Sequence, residues 1–311
     1  MPATRFRLLL QREWRDCKRF VHSGGNGSGD TMVSSYLICA NQRTGSNLLA
    51  SGLRRTGVAG NPFEYFNPRA LNTPFMLKQL GLPADDPNPP DLAGRLDRIL
   101  QAGTSKNGVF GAKLHWWHLP ALFTAIDRVQ DLPPPAQILS SATLRGFFNE
   151  LRFIFLRREN KVAQAISYYR ALKTEVWQAP GGGCGVEAPP DVNVAFDFMT
   201  IQDIVDAAEF EEDAWRRLLA DADNTVLELT YEELAADYIG TMSRVLAFLG
   251  FTVAPADIPP PLLQRQHDAR SQEWEHLYRE QAAVLPSSRV RRSLREIAVQ
   301  IRAERGRSQT V

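Results

Sequence analysis

The sequence predicts an α/β fold, a single domain with a central parallel sheet flanked by helices. Strand-like stretches at 34–40, 108–114 and 151–156, with an alternating one at 225–230, are separated by stretches of helical spacing. The apolar character of 151–156 marks a strand covered on both faces. Across 311 residues, 44% hydrophobic and 23% charged, no repeat or sharp compositional boundary divides the chain after residue 32.

Taken in order, residues 1–31 read as an extension. The apolar stretch at 5–10 is too short and interrupted for a secretory signal, and 22–30 is a flexible linker by composition. Met32 stands directly before the first strand, so the working domain is expected to span 32–311. The strand at 34–40 leads into a helix over 47–55. The strand at 108–114 precedes a helix over 118–129, stopped by Pro133, Pro134 and Pro135. The strand at 151–156 feeds a helix over 160–177. A Gly/Pro loop at 180–190 and a second long helix over 195–220 follow. The strand at 225–230 feeds a helix over 231–249, ended by Gly250.

Composition narrows the function. A net charge of +1 gives no global pull toward nucleic acid or membrane, so any anion site must be a local cluster. No apolar run approaches the ~20 residues of a membrane span. Cys17, Cys39 and Cys184 form an odd, scattered set with neither disulfide nor zinc spacing, which fits a reducing, cytoplasmic setting. Cys39 reads as a small core residue. His115 and His118 are separated by Trp116 and Trp117 and have no acidic partner near them in sequence. They read as wall residues, and no metal site is predicted.

The most informative stretch is Asn41-Gln42-Arg43-Thr44-Gly45-Ser46-Asn47. It joins a strand to a helix start, where free N–H groups and the helix dipole favour an anion. Thr44, Ser46 and Asn47 add short donors, and Arg43 adds a fixed charge. With one glycine and no lysine, this is not a Walker A loop, which argues against an NTP-hydrolysing or kinase-like phosphotransferase. A non-catalytic nucleotide- or anion-binding protein is the other alternative. In an open parallel sheet, ligands bind beyond the carboxyl ends of the strands. That rule selects Arg43 to Ser46, then Lys113 and His115, then Arg157 and Arg158 with Ser167 further on, and finally Tyr231 and Glu232. Convergence of Arg43, Lys113 and Arg158 at one mouth would suit a polyanion.

This order of strand, anion loop, helix and later strand ending in arginine resembles the sulfotransferases, and in detail the bacterial trehalose sulfotransferase family. The stretches that carry the resemblance are 41–49, 56–66 (through Asn61-Pro62-Phe63-Glu64-Tyr65-Phe66), 108–114, 164–171 and 265–274. It implies a P-loop-like sulfotransferase fold. It also implies sulfuryl transfer from 3′-phosphoadenosine 5′-phosphosulfate (PAPS), without a metal, to a hydroxyl of a carbohydrate or glycolipid acceptor, a trehalose-like sugar first among them. Residues Arg43, Thr44, Gly45, Ser46 and Asn47 would grip the phosphosulfate. Arg158 and Ser167 would hold the 3′-phosphate, and Arg265 and Arg270 would close over the nucleotide. Lys113 would serve the reacting centre.

Two residues compete as general base. The resemblance favours Glu64, and a carboxylate among aromatics is expected to have a raised pKa suited to the role. His115 keeps the Lys-x-His spacing of animal cytosolic sulfotransferases. Trp116, Trp117, Tyr65, Phe66, Tyr168, Tyr169 and Trp177 offer flat faces for a sugar or for the core. The family suggests a homodimer.

Overall fold

A computed structural model of the chain describes residues 35–130, 140–148, 150–174, 194–262 and 269–284. The predicted extension at 1–31, the loop at 180–190, Trp177 and Arg265 lie outside the described residues.

The chain runs β1 (Ser35–Ala40), α1 (Ser46–Arg55), α2 (Pro74–Gln79), α3 (Leu96–Gly103), β2 (Phe110–His115), α4 (Leu119–Gln130), α5 (Ser141–Phe147) and β3 (Leu151–Arg157). It continues through α6 (Lys161–Thr174), α7 (Phe198–Leu219), β4 (Thr225–Thr230), α8 (Tyr231–Ala236), α9 (Tyr238–Phe248) and α10 (Ala269–Val284). All three strand pairings are parallel, in the order β2-β1-β3-β4. Strand alternation divides the buried residues between two faces. Leu37 and Cys39 join one core with Phe153, Phe155, Leu122, Ile126 and Trp215. Tyr36, Ile38 and Ala40 join the other with Leu49, Leu53, Met242 and Leu246. All of β1 is buried, which explains why it is apolar on both faces.

The strand order fixes where a ligand can sit. From β1 the chain crosses to β2 on one side, then jumps over β1 to β3 on the other. The crevice between the carboxyl ends of β1 and β3 is therefore the switch point of the sheet. The loops 41–45 and 158–160 flank it.

Several elements depart from expectation. The single helix predicted over 231–249 breaks at Asp237, whose carboxylate accepts from Gly240 N at 2.8 Å and starts α9 as a separate helix. The Pro-rich stretch after residue 67 contains α2, with Thr73 as its cap and Pro74 at its first turn, and α3. Buried Arg95 pins this stretch by donating to Pro90 O, Leu71 O and, at 2.7 Å, Asn72 Oδ1. Its polar pattern hides a side chain that works as a backbone clamp.

Candidate active site

Arg43 and Gly45 both take the left-handed backbone region, with φ of 62° and 80°, and this turns the chain sharply from β1 into α1. Gly45 is the N-cap of α1 and has no side chain to satisfy the first-turn N–H groups, the arrangement that suits a bound anion. Thr44 does not extend that donor set. Its hydroxyl donates to Asn41 O at 2.9 Å and shapes the loop from within. Asn41 is tied to the body of the protein through Ala208 O at 3.2 Å, and Gln164 holds Gln42 O at 2.8 Å.

Gly45 also lies against the Tyr231 ring. A Cβ there would stand 2.7 Å from Tyr231 Cδ2. Gly45→Ala thus combines a clash with an unfavourable φ, the latter alone worth about 1–2 kcal/mol. The variant is expected to unfold at lower denaturant and to bind anions poorly, measurable by urea titration and calorimetry. Unchanged stability and unchanged anion binding would contradict this account of the loop.

Three predicted residues converge here. Arg43 Nε donates to Ser167 Oγ at 2.8 Å across the crevice. Arg158 Nη1 donates to Arg43 O at 3.2 Å, and the Arg158 guanidinium lies 4.6 Å over the Tyr231 ring. Burial and the charge of Arg158 both push the Arg43 pKa down, the mark of two cations held close together. Arg270, on α10, neighbours Ser271, whose hydroxyl accepts from Arg170 Nη1 at 2.7 Å one helical turn beyond Ser167. Below them, Glu232 accepts from Glu159 N at 3.0 Å and Asn160 N at 3.3 Å, while Asn160 Oδ1 caps Ala163 N at 2.9 Å.

A second cluster adjoins the loop through Asn47. Lys113, buried on β2, donates to Asn47 Oδ1 and pairs with Glu64 Oε1 at 2.6 Å. His115 Nε2 stands 3.3 Å from the same oxygen, and its Nδ1 lies 3.1 Å from Ala40 O. Asn67 Nδ2 donates to Glu64 Oε2 at 3.0 Å. Position 64 is fixed because Lys113 N donates to Phe63 O at 2.9 Å, tacking the segment alongside β2. The expected rise in the Glu64 pKa is not found. Burial pushes it up, but Lys113 and then His115 outweigh burial and hold the carboxyl well below its usual range.

His118, wholly buried, accepts from His115 N at 3.2 Å through Nδ1, so the two histidines form a structural pair. Among the described residues no group of three His, Cys, Asp or Glu could hold a metal ion. The proposed flat faces separate. Tyr65, Phe66 and Tyr169 are core residues, and Trp116 packs edge-on against Trp215 at 5.3 Å. Trp116, Trp117 and Tyr168 remain partly exposed.

The family described as Stf0 sulphotransferase matches this chain over residues 35–281. The chain belongs to the Stf0 sulphotransferase family. It is 31% identical over 265 residues to trehalose 2-sulfotransferase of Mycolicibacterium smegmatis, covering 80% of this chain and 96% of that one. Its identity to trehalose 2-sulfotransferase of Mycobacterium tuberculosis is also 31%, over 268 residues and the same shares. A solved sulfotransferase domain from the curacin biosynthetic pathway is 14% identical, covers 79% of this chain and 83% of that one, and has a TM-score of 0.41. As an Stf0 sulfotransferase the chain is an enzyme, and the anion loop and the Glu64–Lys113 pair lie side by side in it. No helix among the described residues is long and apolar enough to cross a membrane.

Proposed function

We propose that this sulfotransferase moves the sulfuryl group of PAPS to a hydroxyl of a carbohydrate acceptor, a trehalose-like sugar free or on a glycolipid. The observation that carries the reading is the meeting of Arg43, Arg158 and Ser167 at the start of α1, one residue contact away from an ionised Glu64. The α1 start and Arg43 suit the phosphosulfate, and Arg158 with Ser167 suits the 3′-phosphate, with Arg270 near the same helix turn. The names of the trehalose 2-sulfotransferases support the acceptor class.

In the transfer, an acceptor oxygen attacks sulfur in line with the S–O bond to the phosphate. The new O–S bond forms as the old one breaks, and 3′-phosphoadenosine 5′-phosphate (PAP) leaves. The proton of the attacking hydroxyl goes to Glu64. His115 is held on both sides, Nε2 against Glu64 and Nδ1 against Ala40 O, which suits it to fixing the carboxylate in place. Lys113 lies between Asn47 and Glu64. Charge arriving on the phosphosulfate draws the ammonium toward it, stabilises the leaving phosphate, and frees Glu64 to act as a stronger base.

Calorimetry with PAP, compared with adenosine 5′-phosphate and ATP, tests the donor assignment. PAP is expected to bind selectively, and Arg158→Ala to weaken it by about ten- to a hundredfold, the loss of a charge-assisted hydrogen bond of roughly 1.5–3 kcal/mol. Equal binding of all three nucleotides would sink the reading.

A further inference from the structure

A closed ring of contacts leads from Glu64 to an arginine that the reaction described above does not use. Asn67 Nδ2 donates to Glu64 Oε2 at 3.0 Å, and Asn67 Oδ1 accepts from Arg69 N at 3.0 Å. The Arg69 guanidinium lies 4.9 Å over the Trp117 ring. Trp117 meets His118 at 4.4 Å, His118 meets His115 at 5.1 Å, and His115 Nε2 returns to Glu64 at 3.3 Å. Within this ring, Glu64 and His115 form the floor, with side chains 24% and 7% exposed, and Arg69 is the exposed rim.

Arg69 has the properties of a group waiting for a ligand. Among the described residues its guanidinium meets no carboxylate and donates no hydrogen bond. It is stacked on the Trp117 face. An arginine stacked on an aromatic ring keeps its in-plane N–H fork free while its flexibility is removed. With one face of Trp117 covered by Arg69, the guanidinium and not the indole meets whatever enters. Arg69 also opposes the rise that burial imposes on the phenol of Tyr168, the α6 residue next to Ser167.

We propose that Arg69, clamped on Trp117, is an acceptor-binding residue whose guanidinium fork takes two neighbouring oxygens of the acceptor, beside the hydroxyl that faces Glu64. This rests on the assignment of Glu64 as the base. Such paired oxygens occur in two sugar groups, a vicinal diol and a carboxylate. The fork fits both, whereas a lysine would serve chiefly the charged one.

The test uses the full chain loaded with PAP. Trehalose, which offers vicinal diols, and glucuronic acid, which offers a carboxylate, are titrated separately by calorimetry into wild type, Arg69→Ala and Arg69→Lys. At least one sugar binds the wild type, and Arg69→Ala weakens it about tenfold or more, while PAP affinity stays within about twofold. Lysine restores little of the affinity if the bound group is a diol and most of it if it is a carboxylate. Trp117→Leu, which removes the clamp and keeps the arginine, weakens the sugar less than Arg69→Ala does. Equal sugar affinity in wild type and Arg69→Ala overturns the proposal, as does failure of both sugars to bind the PAP-loaded wild type. Failure of PAP itself to bind overturns the donor assignment, a separate result, and the proposal falls with it.

Discussion

Glu64→Gln lowers turnover by about two to four orders of magnitude, the range a lost general base commands, while PAP still binds. Glutamine keeps the shape of the side chain and an oxygen for Lys113, but it cannot take a proton. The donor loop, one contact away through Asn47, keeps its own partners Arg158 and Ser167. Stability falls as well, because Lys113 is buried and loses its counter-charge. Breaking a buried pair from one side costs about 3–5 kcal/mol, and the partial exposure of Glu64 moderates that figure here. Product release at saturating acceptor gives the rate, and calorimetry gives the PAP affinity. If Glu64→Gln kept most of its turnover and His115→Ala lost it, the histidine would be the base.

Acid weakens the fold in two stages. Burial, reinforced by His115, holds the His118 pKa at about 2, so the imidazole stays neutral in the native protein. The unfolded chain takes up that proton below about pH 6.5, its ordinary value. The unfolded state then binds more protons than the native one, and stability, full above pH 6.5, declines toward pH 2 by about 1.4 kcal/mol per unit. Glu64 works in the same direction at lower pH. Its folded pKa lies below the ~4.3 of an unfolded glutamate, so its contribution is complete above that value and drains away beneath it. Urea unfolding at pH 7, 5.5 and 4.5 reads the slope. His118→Asn, whose side-chain oxygen can accept the His115 N–H, should flatten it between pH 6.5 and 4.5. An equal slope in both proteins would remove His118 from the account.

The four strands and the anion loop were legible because their signals are local. Thr225–Thr230 coincides with the sequence reading, and the loop ends at a helix start as the residue pattern implies. Bringing Arg43, Arg158 and Ser167 together follows from the switch-point rule plus strand order. Two kinds of feature were not legible. The aromatic residues gave composition without direction, and packing alone set Trp116 against Trp215 and Trp117 against Arg69. The Glu64 pKa was read from neighbours in sequence, whereas the deciding charge, Lys113, comes from another strand. Arg95, Arg69 and Asn67 lay in a Pro-rich stretch whose periodicity is too weak to show what each side chain reaches.

Both strand-to-helix junctions beside the crevice have the geometry to attract negative charge, but they are furnished differently. At α6, Glu232 and Asn160 already occupy the backbone donors, whereas at α1 Gly45 leaves them open. One set of donors is answered by side chains of the protein, and the other has no capping side chain. For the proposed donor, with its two anionic ends, this difference favours one orientation: one end on backbone at α1, the other on side chains. On the proposed donor assignment, Glu232 thus favours one polarity of docking by occupying the backbone donors before α6.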